Sequence, residues 1–125
     1  MYTSFPSIVA GAYNAELVHI APNASQHDRR ITFHFRLEDE EKHPAFLTVN
    51  SSTGKKSKLR KLVDSFLPVG VEVDKEEIFK SKESVDRFLH GLIGEKYFCT
   101  VLLGDQGFLK VDGFFHLSLG EEANQ

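Results

Sequence analysis

The stretch "RRITFHFRL", residues 29–37, decides the fold class because its alternation is the clearest in the chain. Polar and apolar residues alternate along it in the order Arg30, Ile31, Thr32, Phe33, His34, Phe35, Arg36 and Leu37. In a β-strand, successive side chains point to opposite faces, so this period of two is typical of a strand. The stretch therefore predicts a strand with one face buried in a core and one polar face in solvent.

Segments on both sides of this stretch also have strand character. Residues 13–20 predict a first strand, and "AFLTVN" at residues 45–50 predicts a third strand after an acidic turn. "KYFCTVLL" at residues 96–103 and "FLKVDGFFHLSL" at residues 108–119 predict two more strands, joined by a tight, glycine-bounded turn. The chain is thus expected to contain five strands.

Between the third and fourth of these strands the apolar period becomes helical. The apolar positions are Leu59, Leu62, Val63 and Phe66 in one segment, and Val85, Phe88, Leu89, Leu92 and Ile93 in the other. This i, i+3, i+4 spacing predicts two amphipathic helices, the first ended by Pro68 and Gly70 and the second by Gly94. The acidic connector at residues 71–79 is compatible with one helical turn.

The order of three strands, a helical segment and two strands is that of the OB-fold. We therefore predict a mainly β fold with inserted helices (α+β): a five-stranded, OB-fold-like antiparallel barrel with a helical segment between strands three and four. Gly11, as a bend or bulge, and Gly113, as a bulge, would let the strands curve to closure. An open sheet with both helices packed on one face gives the same order, so the sequence leaves closure open.

The chain has 125 residues, of which 41% are hydrophobic and 26% charged. This composition is typical of a folded globular domain, and we expect a single OB-fold-like domain over residues 1–125. A flexible N-terminal arm would span about residues 1–10 and an acidic C-terminal tail about residues 119–125. The formal net charge is −3, so a protein of this composition that bound a polyanion would have to concentrate its cations on one surface.

Several classes of protein are disfavoured by the residues present. The single Cys99 excludes an internal disulfide framework and a multi-cysteine metal site, and none of the six histidines has metal-ligand spacing. There is no nucleophile elbow or glycine-rich phosphate loop. No secretory signal or membrane-length apolar run is seen. We therefore expect a cytoplasmic protein that is not an enzyme, needs no cofactor or metal and does not bind membranes.

Four segments carry a resemblance to a known family. They are "GAYNAEL" at residues 11–17, "RRITFHFRL" at 29–37, "SKLRKLVDSF" at 57–66 and "LIGEKYFCTV" at 92–101. Over roughly residues 11–117 the chain resembles a family of small phage-encoded single-stranded-DNA-binding proteins. The resemblance implies an OB-like barrel, sequence-tolerant binding of single strands and a role in replication or recombination.

The first candidate site is the polar face of strands two and three, across which OB-folds bind oligonucleotides. Its residues are Arg30, Thr32, His34 and Arg36 on the second strand and Phe46 and Thr48 on the third, where Asn50 shares the face. Successive side chains on one face are roughly 6–7 Å apart, comparable to the phosphates of a stretched single strand. Phe46 would be a platform for base stacking. A solvated sheet face that binds nothing explains the same pattern.

The second candidate is a lysine cluster at the first helix: Lys55, Lys56, Lys58 and Lys61. Cations near a helix N-terminus oppose the helix dipole, which slightly favours contact with an anion. A solvated helix face and a protein-docking surface remain open as alternatives.

Two functions follow as hypotheses. The first is binding of single-stranded DNA, or RNA, with little sequence preference, in replication or recombination. In this hypothesis the protein would also bind protein partners of the same complex and associate with copies of itself. The second is a non-enzymatic protein–protein interaction or assembly module on a small β-barrel. The second predicts an exposed apolar patch drawn from Phe5, Phe46 or Phe114; a small-ligand binder is a third, weaker class.

Overall fold

The computed structural model describes residues 10–22, 30–39, 41–51, 54, 57–68, 70–104 and 107–117. The strands are β1 (Gly11–Pro22), β2 (Arg30–Leu37), β3 (Pro44–Asn50), β4 (Lys96–Leu103) and β5 (Leu109–His116). The helices between β3 and β4 are α1 (Lys58–Phe66), α2 (Lys75–Ile78) and α3 (Lys82–His90). The predicted acidic tail and all but Ala10 of the predicted arm lie outside the described residues.

The five strands form a closed barrel in the order β1-β2-β3-β5-β4, with β4 returning to β1. This confirms the OB-like barrel and excludes the open sheet. Four of the pairings are antiparallel, but β3 and β5 pair in parallel through Ala45–Leu109 and Phe46–Lys110. The barrel is therefore mixed, and the prediction of a wholly antiparallel barrel is wrong for the pairing of β3 with β5. A parallel pair needs a long crossover connection, and the three helices together with β4 supply it.

The alternation in β2 sorts its side chains as predicted. The inward residues Ile31, Phe33, Phe35 and Leu37 are all buried. Helix α1 buries Leu59, Val63 and Phe66, of which Leu59 and Phe66 pack in the same core. The Phe66 ring lies 5.0 Å from Phe33 and 4.7 Å from Phe114 between centroids, and the Tyr97 hydroxyl donates a hydrogen bond of 3.2 Å to the Phe66 carbonyl. The helix is thus bound to the barrel through its last residue.

Two β-bulges change which residues face outward. The β1 register shifts between Leu17 and His19, and the extra residue turns exposed His19 outward while Ile20 points into the core. A second shift on β5 lies next to Gly113, where that glycine was predicted to allow it. Because a bulge reverses the alternation that follows it, Phe114 points inward and packs, partly buried, against the core.

Gly11 was predicted to form a bend or a bulge; it pairs in register with Val101, so it is not a bulge, and the bend stays a prediction. The strand is instead made irregular further along, between Leu17 and His19.

The helical segment is held together by capping and by ion pairs. The Ser57 and Ser81 hydroxyls accept hydrogen bonds from backbone N–H groups in the first turns of α1 and α3. Arg60 of α1 donates to Glu76 of α2 at 2.6 Å, and its guanidinium lies 5.2 Å from the Phe79 ring centroid. Among the described residues, no helix is long and apolar enough to cross a membrane.

Candidate nucleic-acid interface

The outer faces of β2 and β3 are in register, so the predicted face exists as one surface. The facing pairs are Arg30–Asn50, Thr32–Thr48, His34–Phe46 and Arg36–Pro44. Side-chain contacts join the pairs Thr32–Thr48 and His34–Phe46. The Thr32 and Thr48 hydroxyl oxygens lie 2.9 Å apart, and the His34 ring stands edge-on to Phe46 at 5.0 Å between centroids.

A groove of about 420 Å³ opens at one end of this face, between β3 and the start of β5. Its lining residues are Arg30, Phe46, Thr48, Val49, Asn50, Gly104, Phe108, Leu109 and Lys110. The parallel pairing of Phe46 with Lys110 brings the two strands together here. Three of the predicted site residues, Arg30, Phe46 and Thr48, line this groove.

The groove combines aromatic surface with positive charge. Phe108 is 59% exposed, and its ring lies 6.2 Å from that of Phe46 in an edge-to-face arrangement. Arg30 and Lys110 are both exposed. Among the described lining residues there is no carboxylate to oppose an anion. If phosphates bound beside Arg30 and Lys110, the neighbouring bases would lie within reach of the Phe46 and Phe108 rings.

The other end of the face is neutralised by its own ion pairs. Arg36 donates to Glu16 at 2.9 Å, and Glu16 also lies 3.9 Å from Lys96. Lys96 in turn donates to Glu38, and that hydrogen bond raises the pKa of Lys96. Two cations and two carboxylates therefore offset one another, so the end of the face at Arg36 is close to neutral.

His34 lies between two rings on this face. Its imidazole is edge-on to Phe46 on one side and to His19 on the other, the two imidazole centroids being 5.2 Å apart. Burial, followed by the charge of His19, lowers the pKa of His34 from its ordinary value of 6.5. His34 is therefore mainly neutral at neutral pH. His19 joins the site only because of the bulge in β1.

The two lysines of the cluster that the structure describes are not among the groove-lining residues. Lys58 and Lys61 are exposed on α1, and neither is among the residues that line the groove. Arg60, between them in sequence, is paired with Glu76. Lys55 and Lys56 lie outside the described residues.

Sequence reasoning missed Phe108 and Lys110, which complete the groove. An aromatic residue and a lysine two positions apart follow the glycine-bounded turn between β4 and β5. OB-folds use that turn to flank the ligand, so this pattern was the available signal. His19 had no such signal, because its outward direction depends on the bulge.

A scan against protein-family models gave no match, and a search of curated proteins found none with significant similarity. Within the described ranges, no three His, Cys, Asp or Glu side chains come together as a potential metal site. Function is therefore inferred from the groove and the face beside it.

Proposed function

We propose that this protein binds single-stranded nucleic acid, with single-stranded DNA as the preferred ligand, and does so with little sequence preference. The observation that carries this proposal is the groove between β3 and β5. The centroids of the Phe46 and Phe108 rings lie 6.2 Å apart, and Arg30 and Lys110 line the same groove.

Sequence tolerance follows from the kind of contact the groove offers. Every base has a π-face, and stacking on an aromatic side chain contributes about 1–3 kcal/mol per base. Cations bind phosphates, which are the same in every nucleotide. The net charge of −3 is compatible with this because positive charge is concentrated locally at Arg30 and Lys110.

A wider biological role belongs to the same proposal and rests on the family resemblance. The protein would act without catalysis in replication or recombination, in a cytoplasmic setting that suits its single Cys99. Self-association would strengthen weak individual sites by multivalency, and protein partners in the same complex would do likewise.

The test is a fluorescence titration with labelled oligo-dT, a duplex of the same length and an RNA single strand, each at two salt concentrations. We expect the single-stranded DNA to bind most tightly. Affinity should fall steeply with salt, with a log–log slope of about −0.7 for each neutralised phosphate of a single strand. Absence of binding to oligo-dT at low salt would refute the proposal.

A second candidate function is protein–protein docking, and one observation favours it. On the outer surface of β4 and β5, the 52% exposed Phe115 packs on Phe98 at 5.4 Å between ring centroids. Leu102 and Leu103 on β4 are also exposed. Burial of such apolar surface is insensitive to ionic screening, so this function predicts a salt-tolerant complex that Phe115→Ala weakens.

A further inference from the structure

Beyond the groove, the face continues as a row of rings that crosses the strands. The row runs from Phe108 through Phe46 of β3 and His34 of β2 to His19 of β1. Successive centroids are 6.2, 5.0 and 5.2 Å apart. The row is thus continuous from the groove to a pair of imidazoles on the other side of the face.

We propose that His19 and His34 form a phosphate-binding subsite at the far end of this row, and that occupation of this subsite takes up a proton. The inference rests on the proposed function. It implies that the bound strand crosses the β-strands, from the groove toward β1, instead of running along β2.

The local geometry supports this assignment. The β1 bulge turns His19 out of the core and places it opposite His34, so both imidazoles face the same side of the barrel. His19 is exposed and His34 is half-buried. Imidazole nitrogens donate hydrogen bonds to phosphate, and a protonated ring adds a positive charge. Without a ligand, burial followed by the charge of His19 lowers the pKa of His34 and disfavours its protonated form.

The other charged groups near the pair are already neutralised. On the neighbouring positions of the face, β1 contributes Glu16 and β2 contributes Arg36, and these two bind each other at 2.9 Å. On β3 the adjacent residues are Phe46 and Thr48, which do not titrate near neutral pH. Among the described residues on this part of the face, His34 is therefore a group whose charge can change between about pH 5 and pH 8.

The sign of the effect follows from linkage. Burial and the neighbouring imidazole lower the pKa of His34 in the free protein. A bound phosphate favours the protonated ring and therefore raises the pKa of His34. Binding then takes up a proton from the buffer, so affinity rises as pH falls. Uptake of one proton by His34 raises affinity by at most about tenfold per pH unit.

The test combines the pH dependence of oligo-dT binding with calorimetry in two buffers of different ionisation enthalpy. Between about pH 7.5 and pH 5.5 we expect the wild-type protein to bind about 3–10-fold more tightly at the acidic end. The double variant His19→Gln, His34→Gln should lose most of this gain while still binding at pH 7.5. His90→Gln, which changes an exposed histidine on α3, should retain the gain and controls for overall charge.

Calorimetry of the wild-type protein measures proton uptake directly and does not depend on how the variants fold. Binding without proton uptake, or a pH dependence that survives in the double variant, would overturn the subsite and leave the proposed function intact. Absence of binding at every pH would instead overturn the proposed function and the subsite with it.

Discussion

The substitution Phe108→Ala provides the sharpest test of the groove. The Phe108 side chain is 59% exposed in the free protein, so its removal leaves no sizeable cavity and should alter stability little. It does remove one of the two aromatic surfaces of the groove. Loss of one stacking contact of about 1–3 kcal/mol corresponds to a decrease in affinity for oligo-dT of about 5- to 150-fold.

Phe115 offers a matched control on β5. Its side chain is 52% exposed, its ring rests on Phe98, and it is not among the groove-lining residues. Phe115→Ala should therefore leave affinity within about twofold of wild type, because no stacking contact is lost. Both variants would be compared by fluorescence anisotropy with a labelled oligonucleotide, with circular dichroism to verify folding. Equal losses for the two variants, or none for Phe108→Ala, would refute the assignment of the groove.

Other substitutions test the remaining parts of the structure. Arg30→Ala should weaken oligo-dT binding about tenfold and reduce the salt slope by about 0.7, because Arg30 lines the groove. Arg36→Ala should have a smaller effect, because Arg36 is not among the groove-lining residues and pairs with Glu16. Titrations that show equal losses would contradict this difference. Glu16→Gln should remove the carboxylate that pairs with Arg36 and so tighten oligo-dT binding by up to about fivefold in the same titration. Weaker binding would contradict the role of Glu16 in neutralising Arg36. Ser57→Ala should lower the free energy of unfolding by about 1 kcal/mol in urea melts, since its hydroxyl caps α1; an unchanged midpoint would show that the cap contributes nothing. Burial raises the pKa of Cys99 to about 12, so a thiol reagent should modify it only after unfolding, and rapid labelling of the native protein would contradict its burial.

Much of the barrel could be predicted because the hydrophobic effect acts on local periodicity. In β2, Phe33 and Phe35 are buried as their alternation requires. In α1, the spacing of Leu59, Val63 and Phe66 predicted the buried face that the helix presents to the core. These elements follow directly from the period because each has a regular backbone from end to end.

Departures from regular backbone do not follow from the period: Gly113 indicated a bulge in β5, but nothing in the sequence indicated the bulge in β1. One extra residue in β1 points His19 outward, and another beside Gly113 turns Phe114 inward. The resulting change of face depends on how each strand pairs with its neighbours, and strand pairing is a long-range property. Phe114 was expected in an exposed patch, but it is partly buried and packs against the core.

The candidate site likewise combines residues whose placement could be predicted from the sequence with residues whose placement could not. The sequence determined that Arg30, Phe46 and Thr48 share the outer face of β2 and β3, because alternation fixes the face of every side chain in a regular strand. Only the tertiary structure decided that Phe108 and Lys110 join them, through the parallel pairing of β3 with β5. It also decided that Glu16 pairs with Arg36. Local sequence specifies which way a side chain points, whereas its neighbours from distant segments are set by how the barrel closes.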